Sequence, residues 1–231
     1  LACDDDLDER TRAGYALRRT AVKAAGIEIA EIDLKTADVA ISSYYTIATA
    51  EASANLARFT GIRYGERPIY AENPEQLVRN ARSEGFGEAV RLRILLGTYV
   101  LRSGFQEQYY QRAQRIRTAV RDELQSVFDE HDLLLLPAFP VAAFPHGDEA
   151  MSPFQQKLAD RFTSLANLTA VPALSIPAGV HDGLPVGIQA MGPVLSEERL
   201  LRFADLIGEH IPLQRPPEFT ASACEQAAGG A

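Results

Sequence analysis

Apolar residues recur along this chain with two different spacings, and the two spacings predict two kinds of element. Between positions 105 and 127 they recur every three or four residues, which is the period of one face of a helix. Related patterns, closed by glycines or opened by serines, predict further helices. These lie at 8–25, 42–60, 88–101, 152–168 and 195–210, with a shorter helix inside the Gly- and Pro-rich segment 61–87.

Short apolar runs predict the strands. The segment IEIAEIDL, residues 27–34, begins by alternating apolar and polar residues, as a half-buried strand does. The run LLLL at 133–136 is apolar on both faces, and Pro137 stops it. The stretch LANLTAVPALSIPAGVHDGLPVGIQAMG, residues 165–192, holds two more apolar segments joined by an Asp-Gly turn. Strands that alternate with helices predict an α/β fold, with a mixed β-sheet covered by helices on both faces.

Charge and cysteine content argue against several classes of function. The net charge of −8 and the pI of about 5.1 argue against direct binding of nucleic acid, which requires a basic face, although a companion subunit can still hold it. Cys3 and Cys224 are isolated near opposite ends, so a disulfide framework or zinc site is not expected and the cytoplasm is the expected compartment. No apolar run reaches the ~20 residues of a membrane helix.

The first residues, LACDDDLDER, contain neither an initiator Met nor the basic and apolar regions of a signal peptide. We therefore expect this chain to be a piece of a longer protein. Residues 1–231 are expected to form part of a single domain, with 221–231 as a disordered tail. Part of a sheet would expose an unpaired edge and apolar surface, so the piece is expected to dimerise unless the missing part is supplied.

No arrangement of reactive side chains in the sequence matches a familiar catalytic pattern. There is no Gly-x-Ser-x-Gly turn for a nucleophilic serine, and no phosphate-binding glycine loop precedes a helix. His131, His146, His181 and His210 lie at predicted helix ends or in turns, where histidines are usually exposed to solvent. The acidic run at 4–9 is typical of a solvated terminus, so no metal site is expected.

Two charged residues in apolar surroundings suggest a ligand that carries both charges. Arg93 lies in RLRILLG, and Asp160 lies in KLADRFTSL. An arginine binds a carboxylate through two parallel hydrogen bonds and an aspartate binds an ammonium group, so the two together fit the ends of a free α-amino acid. On the residues alone, pairing of each with an unrelated surface charge is the favoured alternative.

Five stretches resemble, in order, the amidase signature family. They are YYTIATAEASANLARFTGIRYG, GFGEAVRLRILLGTYVLRSGF, YYQRAQRIRT, FDEHDLLLLPAFP and LANLTAVPALSIPAGVHDGLPVGIQAMGP, which cover nearly all of the chain from Ser43 to Pro193. The first two resemble the amidotransferase branch of that family. The resemblance is to the C-terminal part of the amidase signature fold.

The resemblance implies which residues take part in the reaction. In the family, a lysine and two serines in glycine- and serine-rich sequence carry out catalysis, and that part is absent from this sequence, so no residue of this chain is expected to be catalytic. By match to the family's motifs, Arg93 binds the α-carboxylate of glutamine and Asp160 binds its α-amino group. Tyr44 matches a tyrosine that lines the same pocket, and a core aromatic with a satisfied hydroxyl is the alternative for it.

The resemblance also implies partners. The whole protein is expected to hydrolyse glutamine and pass ammonia to a partner subunit that uses ATP and Mg²⁺ to convert Glu-tRNA(Gln) to Gln-tRNA(Gln). The expected partners are therefore the B and C subunits of the amidotransferase, and this chain itself is expected to hold no cofactor. Two alternatives stay open: a stand-alone amidase acting on other carboxamides, and a non-catalytic assembly module derived from this part of the fold.

Overall fold

The structure, a computed structural model, describes residues 7–144 and 159–210. These residues divide into two compact units. The helical unit is formed by residues 42–119, and the sheet unit by residues 7–41, 120–144 and 159–210.

Most of the described helices precede the strands along the chain. The helices are α1 (Glu9–Ala24), α2 (Ala37–Leu56), α3 (Pro74–Gly85), α4 (Glu88–Val100), a π-helical segment (Gln106–Gln111), α5 (Arg112–Glu130), α6 (Thr163–Thr169) and α7 (Glu197–His210). The strands are β1 (Leu134–Pro137), β2 (Ala173–His181) and β3 (Leu184–Met191). Helices α2 and α5 each begin in one unit and end in the other.

A three-stranded sheet of order β1-β3-β2 forms the centre of the sheet unit. β2 and β3 are a hairpin, in which Ile176 pairs with Ile188 and the turn is made by Asp182 and Gly183. Both turn residues have positive φ, 49° and 78°, as a two-residue hairpin turn of type I′ requires. β1 pairs with the other edge of β3, so both strand pairs within the described residues are antiparallel.

Helices cover both faces of this sheet. Helices α1 and α7 share one core with the strands, formed by Val22, Ile188, Ile207 and their neighbours. α1 lies close against the sheet because Gly14 has no side chain: a Cβ there would stand 2.3 Å from Val186 Cγ2. On the opposite face of β3, the buried Gln189 donates a hydrogen bond to the carbonyl of Phe162, next to α6, at 3.1 Å. The prediction of an α/β fold is confirmed, but the prediction of a mixed sheet is not: both strand pairs that the structure describes are antiparallel, because β2 and β3 form a hairpin and β1 pairs antiparallel with β3.

The helical unit is built around a close contact between α2 and α4. A Cβ on Gly97 would stand 2.0 Å from the carbonyl oxygen of Thr49, so α4 approaches α2 with its backbone. The hydroxyls of Ser53 and Thr98 form a hydrogen bond of 3.1 Å beside this contact. Because the Phe59 ring, just after α2, meets the Phe86 ring, just before α4, the two helices run antiparallel.

Most predicted elements appear where the spacing of apolar residues placed them. α1, α4, α5, α7, β1 and the hairpin are confirmed, as is the short helix α3 within 61–87. α2 begins earlier than predicted and ends at Leu56 rather than at residue 60, and the first turn and a half of the helix predicted from 105 is π-helical. The predicted helix at 152–168 is described only from 159 onward, where turns precede α6, and the predicted tail at 221–231 lies outside the described residues.

The prediction of a strand at 27–34 is wrong. Ile27 and Ile29 are half-buried against the core of the sheet unit, whereas Glu28 and Ala30 are exposed, so the alternation in the sequence does correspond to alternate burial. The segment nevertheless forms no strand. Alternation marks an extended backbone with one buried side, and a strand needs in addition a neighbouring backbone in register.

Candidate functional site

Arg93 lies in the middle of α4, and its guanidinium is exposed. It forms no hydrogen bond or ion pair with any other residue that the structure describes, so no carboxylate among those residues competes for it. Its apolar neighbours Leu92, Leu95 and Leu96 are exposed too, which means that its surroundings are an open apolar surface rather than a packed core. An exposed guanidinium on a helix is well suited to bind a carboxylate that arrives from outside.

Tyr44 lies near the beginning of α2 and is half-buried. Its ring meets the ring of Tyr45 edge to face, with centroids 5.4 Å apart. Its hydroxyl has no hydrogen-bond partner among residues 7–144 and 159–210. Among these residues, Tyr44 therefore does not match the alternative of a core aromatic whose hydroxyl has a partner.

Asp160 lies in the turn that leads into α6, and it is half-buried. Its backbone carbonyl accepts hydrogen bonds from the amide of Ser164, at 2.8 Å, and from the hydroxyl of Thr163, at 3.2 Å. These bonds fix the backbone of Asp160 relative to the first turn of α6.

The structure places two of the three predicted residues in one unit and the third in the other. Arg93 and Tyr44 belong to the helical unit, on the two helices that pack at Gly97, and Asp160 belongs to the sheet unit. No hydrogen bond joins the side chains of Arg93 and Tyr44. The binding of one small ligand by all three residues stays a prediction.

Among the described residues, no catalytic arrangement stands beside these three. Ser43 is buried in α2, and Lys23 lies in the last turn of α1. Within the described parts of the chain, no group of His, Cys, Asp and Glu side chains could hold a metal ion. Likewise, no described helix combines the length and the hydropathy that spanning a membrane would require.

A cavity of about 220 Å³ opens on the sheet unit. It is lined by Thr11 of α1, by residues that follow β1 and by the beginning of β3. Neither Arg93, Tyr44 nor Asp160 contributes to its wall. Because its lining is mostly apolar and carries no charged side chain, this cavity offers no ionic partners for the charged groups of a free amino acid.

Sequence reasoning missed three polar contacts between segments far apart in the chain, of which two anchor loops in the sheet unit. The carboxylate of Asp8 caps α1 by accepting from the amide of Thr11, at 2.7 Å, and also accepts from the amide of Ala142, at 3.0 Å. Burial alone would raise the pKa of Asp8, but the bonds from Ala142 and Thr11 outweigh burial and place this pKa below its ordinary value. Only the cap itself had a signal in the sequence, an Asp directly before a helical pattern.

Glu123 of α5 anchors the segment that precedes α2. Its carboxylate accepts from the amides of Lys35, at 2.8 Å, and Thr36, at 3.0 Å, and from the Thr36 hydroxyl. Burial again opposes ionisation, and these hydrogen bonds outweigh it, so the pKa of Glu123 lies below its ordinary value. Nothing in the sequence links positions 36 and 123, which is why the pattern of residues did not reveal this contact.

The third contact lies in the helical unit. The hydroxyl of Tyr110, in the π-helical segment, donates to Glu51 of α2 at 2.8 Å and accepts from the amide of Gln114 at 3.0 Å. The bond to the Glu51 carboxylate raises the pKa of Tyr110 above its ordinary value, because it stabilises the protonated phenol. The contact ties the π-helical segment to α2.

Comparison with known proteins identifies a family for this chain. Residues 2–201 match the Amidase family. The chain is 48% identical over 185 residues to the glutamyl-tRNA(Gln) amidotransferase A subunit of Legionella pneumophila (strain Paris), which is 80% of this chain and 38% of that protein. It is 44% identical over 201 residues to the protein of the same name from Synechococcus sp. (strain RCC307), 87% of this chain and 41% of that protein.

Solved structures agree with this assignment. The glutamyl-tRNA(Gln) amidotransferase A subunit of Thermotoga maritima is similar with a TM-score of 0.69 and 30% identity, over 94% of this chain and 43% of that one. A bacterial aryl acylamidase of the amidase signature family shares the fold, with a TM-score of 0.68 at 18% identity, over 89% of this chain and 41% of that one. The chain thus spans about two fifths of the proteins that it matches. Because the family match covers most of its length, this chain belongs to the amidase family.

Proposed function

We propose that this chain is the part of a glutamine-hydrolysing amidotransferase subunit that binds the two ends of glutamine. The observation that carries the proposal is its identity of 40–48% to proteins named as the A subunit of glutamyl-tRNA(Gln) amidotransferase, over 80–87% of its length. The exposed guanidinium of Arg93, which has no partner among the described residues, supports it from the structure.

In this function, Arg93 binds the α-carboxylate of glutamine through two parallel hydrogen bonds, and Asp160 accepts hydrogen bonds from the α-ammonium group. The hydroxyl of Tyr44 offers a further hydrogen bond on the same ligand. These contacts are the same in bound glutamine and in the glutamyl group during the reaction. Their loss therefore raises KM more than it lowers kcat. Truncating the bidentate arginine weakens binding by on the order of 2–4 kcal/mol.

Bond cleavage belongs to polypeptide that this chain does not include. In the family's acyl transfer, a serine oxygen attacks the side-chain carboxamide carbon of glutamine, ammonia leaves, and water then hydrolyses the serine ester to release glutamate. The ammonia passes to the B subunit, which uses ATP and Mg²⁺ to amidate Glu-tRNA(Gln), with the C subunit as a further partner. The whole enzyme acts in the cytoplasm, and this chain by itself is inactive.

The test uses a chimera in which this chain replaces the matched region of the Legionella subunit. We expect the chimera, assembled with the Legionella partner subunits, to release glutamate and ammonia from glutamine. Arg93→Ala should raise KM for glutamine about 30-fold or more, as a loss of ~2–4 kcal/mol requires, with a smaller effect on kcat. Arg91→Ala is the matched control, because Arg91 is an exposed arginine two positions away on the same helix.

An unchanged KM in Arg93→Ala would remove Arg93 from the glutamine site. Equal hydrolysis of glutamine and of a simple carboxamide such as propionamide, unaffected by Arg93→Ala and Asp160→Asn, would favour a stand-alone amidase instead. A chimera that assembles and binds glutamine but hydrolyses nothing would favour the non-catalytic module.

A further inference from the structure

Gln189 is a buried polar residue on β3, the central strand of the sheet. It is 7% exposed, and it pairs with Leu136 of β1 on one side and with Ser175 of β2 on the other. Its side-chain amide donates a hydrogen bond of 3.1 Å to the carbonyl of Phe162, which lies 27 positions earlier in the chain. Because a buried amide is costly unless it is hydrogen-bonded, this bond compensates for the burial of Gln189.

The side chain of Gln189 lies on the face of β3 that is turned away from α1 and α7. Successive side chains of a strand point to opposite faces of the sheet. Ile188 and Ala190, the neighbours of Gln189 in sequence, both belong to the core that the strands share with α1 and α7. The hydrogen bond to Phe162 therefore ties the segment before α6 to the opposite face of the sheet.

Phe162 is held in place through its ring as well as through its carbonyl. The residue is 2% exposed, and its side chain forms a small buried cluster with Leu7. The guanidinium of Arg161 lies over the Phe162 ring, 5.2 Å from its centroid. The ring is thus packed against the segment before α1, while the carbonyl is bound to the central strand.

Asp160 lies two positions before Phe162, in the same turn. Its carbonyl accepts hydrogen bonds from the amide of Ser164, at 2.8 Å, and from the hydroxyl of Thr163, at 3.2 Å. The Ser164 hydroxyl donates in addition to the carbonyl of Arg161, at 3.3 Å. Residues 160–164 therefore form one hydrogen-bonded turn, and a displacement of Phe162 is carried to Asp160.

Packing alone does not require a glutamine at position 189. The three nearest residues of β3 are apolar, and Ile188, Ala190 and Met191 are each at most 1% exposed. A methionine at 189 would match these neighbours in character and would avoid the cost of burying an amide. It could not donate a hydrogen bond to Phe162, so this bond is what distinguishes Gln189 from an apolar residue of similar size.

We propose that Gln189 is a positioning residue for the glutamine site, because it holds the 160–164 turn where the Asp160 carboxylate meets the α-ammonium group of the ligand. The inference rests on the proposed function, which gives Asp160 that role, and it adds the residue that sets the place of Asp160. Gln189 acts through Asp160 and makes no contact of its own with glutamine. Such a role matters because a misplacement of about 1 Å can cost about 100-fold in rate.

The test compares two ligands that differ only at the α-carbon: glutamine, and glutaramate, which is glutamine without its α-amino group. Dissociation constants of both are measured for the assembled Legionella chimera, with its nucleophilic serine changed to alanine so that no ligand is consumed. Gln189→Met removes the amide at similar size. Thr169→Val is the matched control, because Thr169 is also buried, at 2%, but its hydroxyl donates within α6, to the carbonyl of Leu165 at 2.7 Å.

We expect Gln189→Met to weaken the binding of glutamine by about threefold to tenfold, as the loss of one buried hydrogen bond implies, and to leave the binding of glutaramate unchanged. Thr169→Val should change the binding of neither ligand. Asp160→Asn should weaken the binding of glutamine by about tenfold or more. Adding Gln189→Met to Asp160→Asn should bring no further loss, because both substitutions act on the same contact.

Equal weakening of both ligands by Gln189→Met, or a loss that adds fully to that of Asp160→Asn, would overturn the proposal and assign Gln189 to general packing. If circular dichroism shows that Gln189→Met does not fold, Gln189→Asn should show the same selective loss, since it keeps the amide on a shorter side chain. Unchanged binding of glutamine in the Gln189 variants, beside a loss in Asp160→Asn, would overturn this inference alone. Unchanged binding in Asp160→Asn would instead contradict the role of Asp160 in the proposed function.

Discussion

The sheet unit and the helical unit use their apolar residues in opposite ways. Among the described residues, the largest fully buried side chains all belong to the sheet unit: Leu124, Leu136, Ile188, Met191, Ile207, Val22, Val120, Pro137 and Ser164. Of the apolar residues that the structure describes as buried, the helical unit contributes only Ile47, Ala50 and Ala113. It nevertheless holds ten of the seventeen large apolar side chains described as exposed, although it is the smaller unit.

This difference shows that a regular apolar pattern does not always describe a core. In the sheet unit, strands and helices bury their apolar faces against one another, so the pattern is satisfied internally. In the helical unit, α2 and α4 meet through Gly97, Thr49 and Ser53, which are small enough for the backbones to touch. The large side chains of α4 are left on the outside.

The largest expected effect is the loss of a core side chain from the sheet unit. Ile188 on the central strand is 1% exposed, so Ile188→Ala leaves a cavity and should lower the free energy of unfolding by about 2–5 kcal/mol. Leu95→Ala in α4 removes a similar side chain that is 67% exposed, and it should change the free energy of unfolding by no more than about 0.5 kcal/mol. Urea denaturation followed by circular dichroism measures both. Equal losses would mean that Leu95 is part of a core.

Overpacking of the contact between α2 and α4 should have the next largest effect. In Gly97→Ala the new methyl group meets the carbonyl oxygen of Thr49, a backbone atom that cannot move aside, so we expect a loss of about 1–3 kcal/mol. The same change at Gly208 in α7 is the control, because a Cβ there has no described atom within 4 Å. Gly208→Ala should stabilise the protein by up to about 1 kcal/mol through helix propensity.

Those two glycine variants are distinguished by thermal denaturation and by proteolysis of the folded chain. Gly97→Ala should make residues 42–119 more sensitive to protease while the sheet unit stays resistant. Resistance of the helical unit equal to that of wild type would show that α4 does not depend on this close contact.

A smaller effect is expected from the anchor in front of α2. The pKa of Glu123 is held below its ordinary 4.5, because hydrogen bonds from Thr36 and Lys35 outweigh its burial. A carboxylate with a lower pKa in the folded state stabilises it fully above its unfolded pKa, and this contribution is lost as pH falls through the folded pKa. Glu123→Gln should therefore cost about 1 kcal/mol at pH 7.

The pH dependence distinguishes this contribution from general packing. The difference in stability between wild type and Glu123→Gln should shrink as the pH falls below about 4.5, the ordinary value for Glu. Asp122→Asn is the matched control, an exposed carboxylate at the preceding position of α5. A difference between wild type and Glu123→Gln that stays constant from pH 7 to pH 3 would contradict the role given to the ionised Glu123.

Local spacing was enough to predict most of the elements and could not predict their partners. Helices α1, α4 and α7 and the Asp-Gly hairpin follow from residue spacing and from caps or turns that act within a few residues. The strand predicted at 27–34 failed because a ladder depends on a neighbour elsewhere in the chain or outside it. The contact of Glu123 with Thr36 likewise joins positions too far apart in sequence for any local pattern to record.

The candidate site was harder to predict from the sequence than the fold. Arg93 and Asp160 stood out as charges in apolar surroundings, but on the residues alone pairing with a surface charge was the favoured alternative. Only the resemblance to the family favoured a ligand site, and it alone added Tyr44. The sequence pattern showed that the leucines around Arg93 share a helix face, and the structure shows that this face is exposed. Helical periodicity reports which face of α4 is apolar, but whether that face meets a core or another polypeptide is decided by the packing of its opposite face.

The contrast between the two units is tested most directly by native-state hydrogen exchange of the chain. The amides of β3 and α7 should exchange slowly and those of α4 quickly, because opening of a poorly buried unit requires little free energy. Exchange of α4 as slow as that of β3 would contradict the claim that the helical unit leaves its large apolar side chains outside a core.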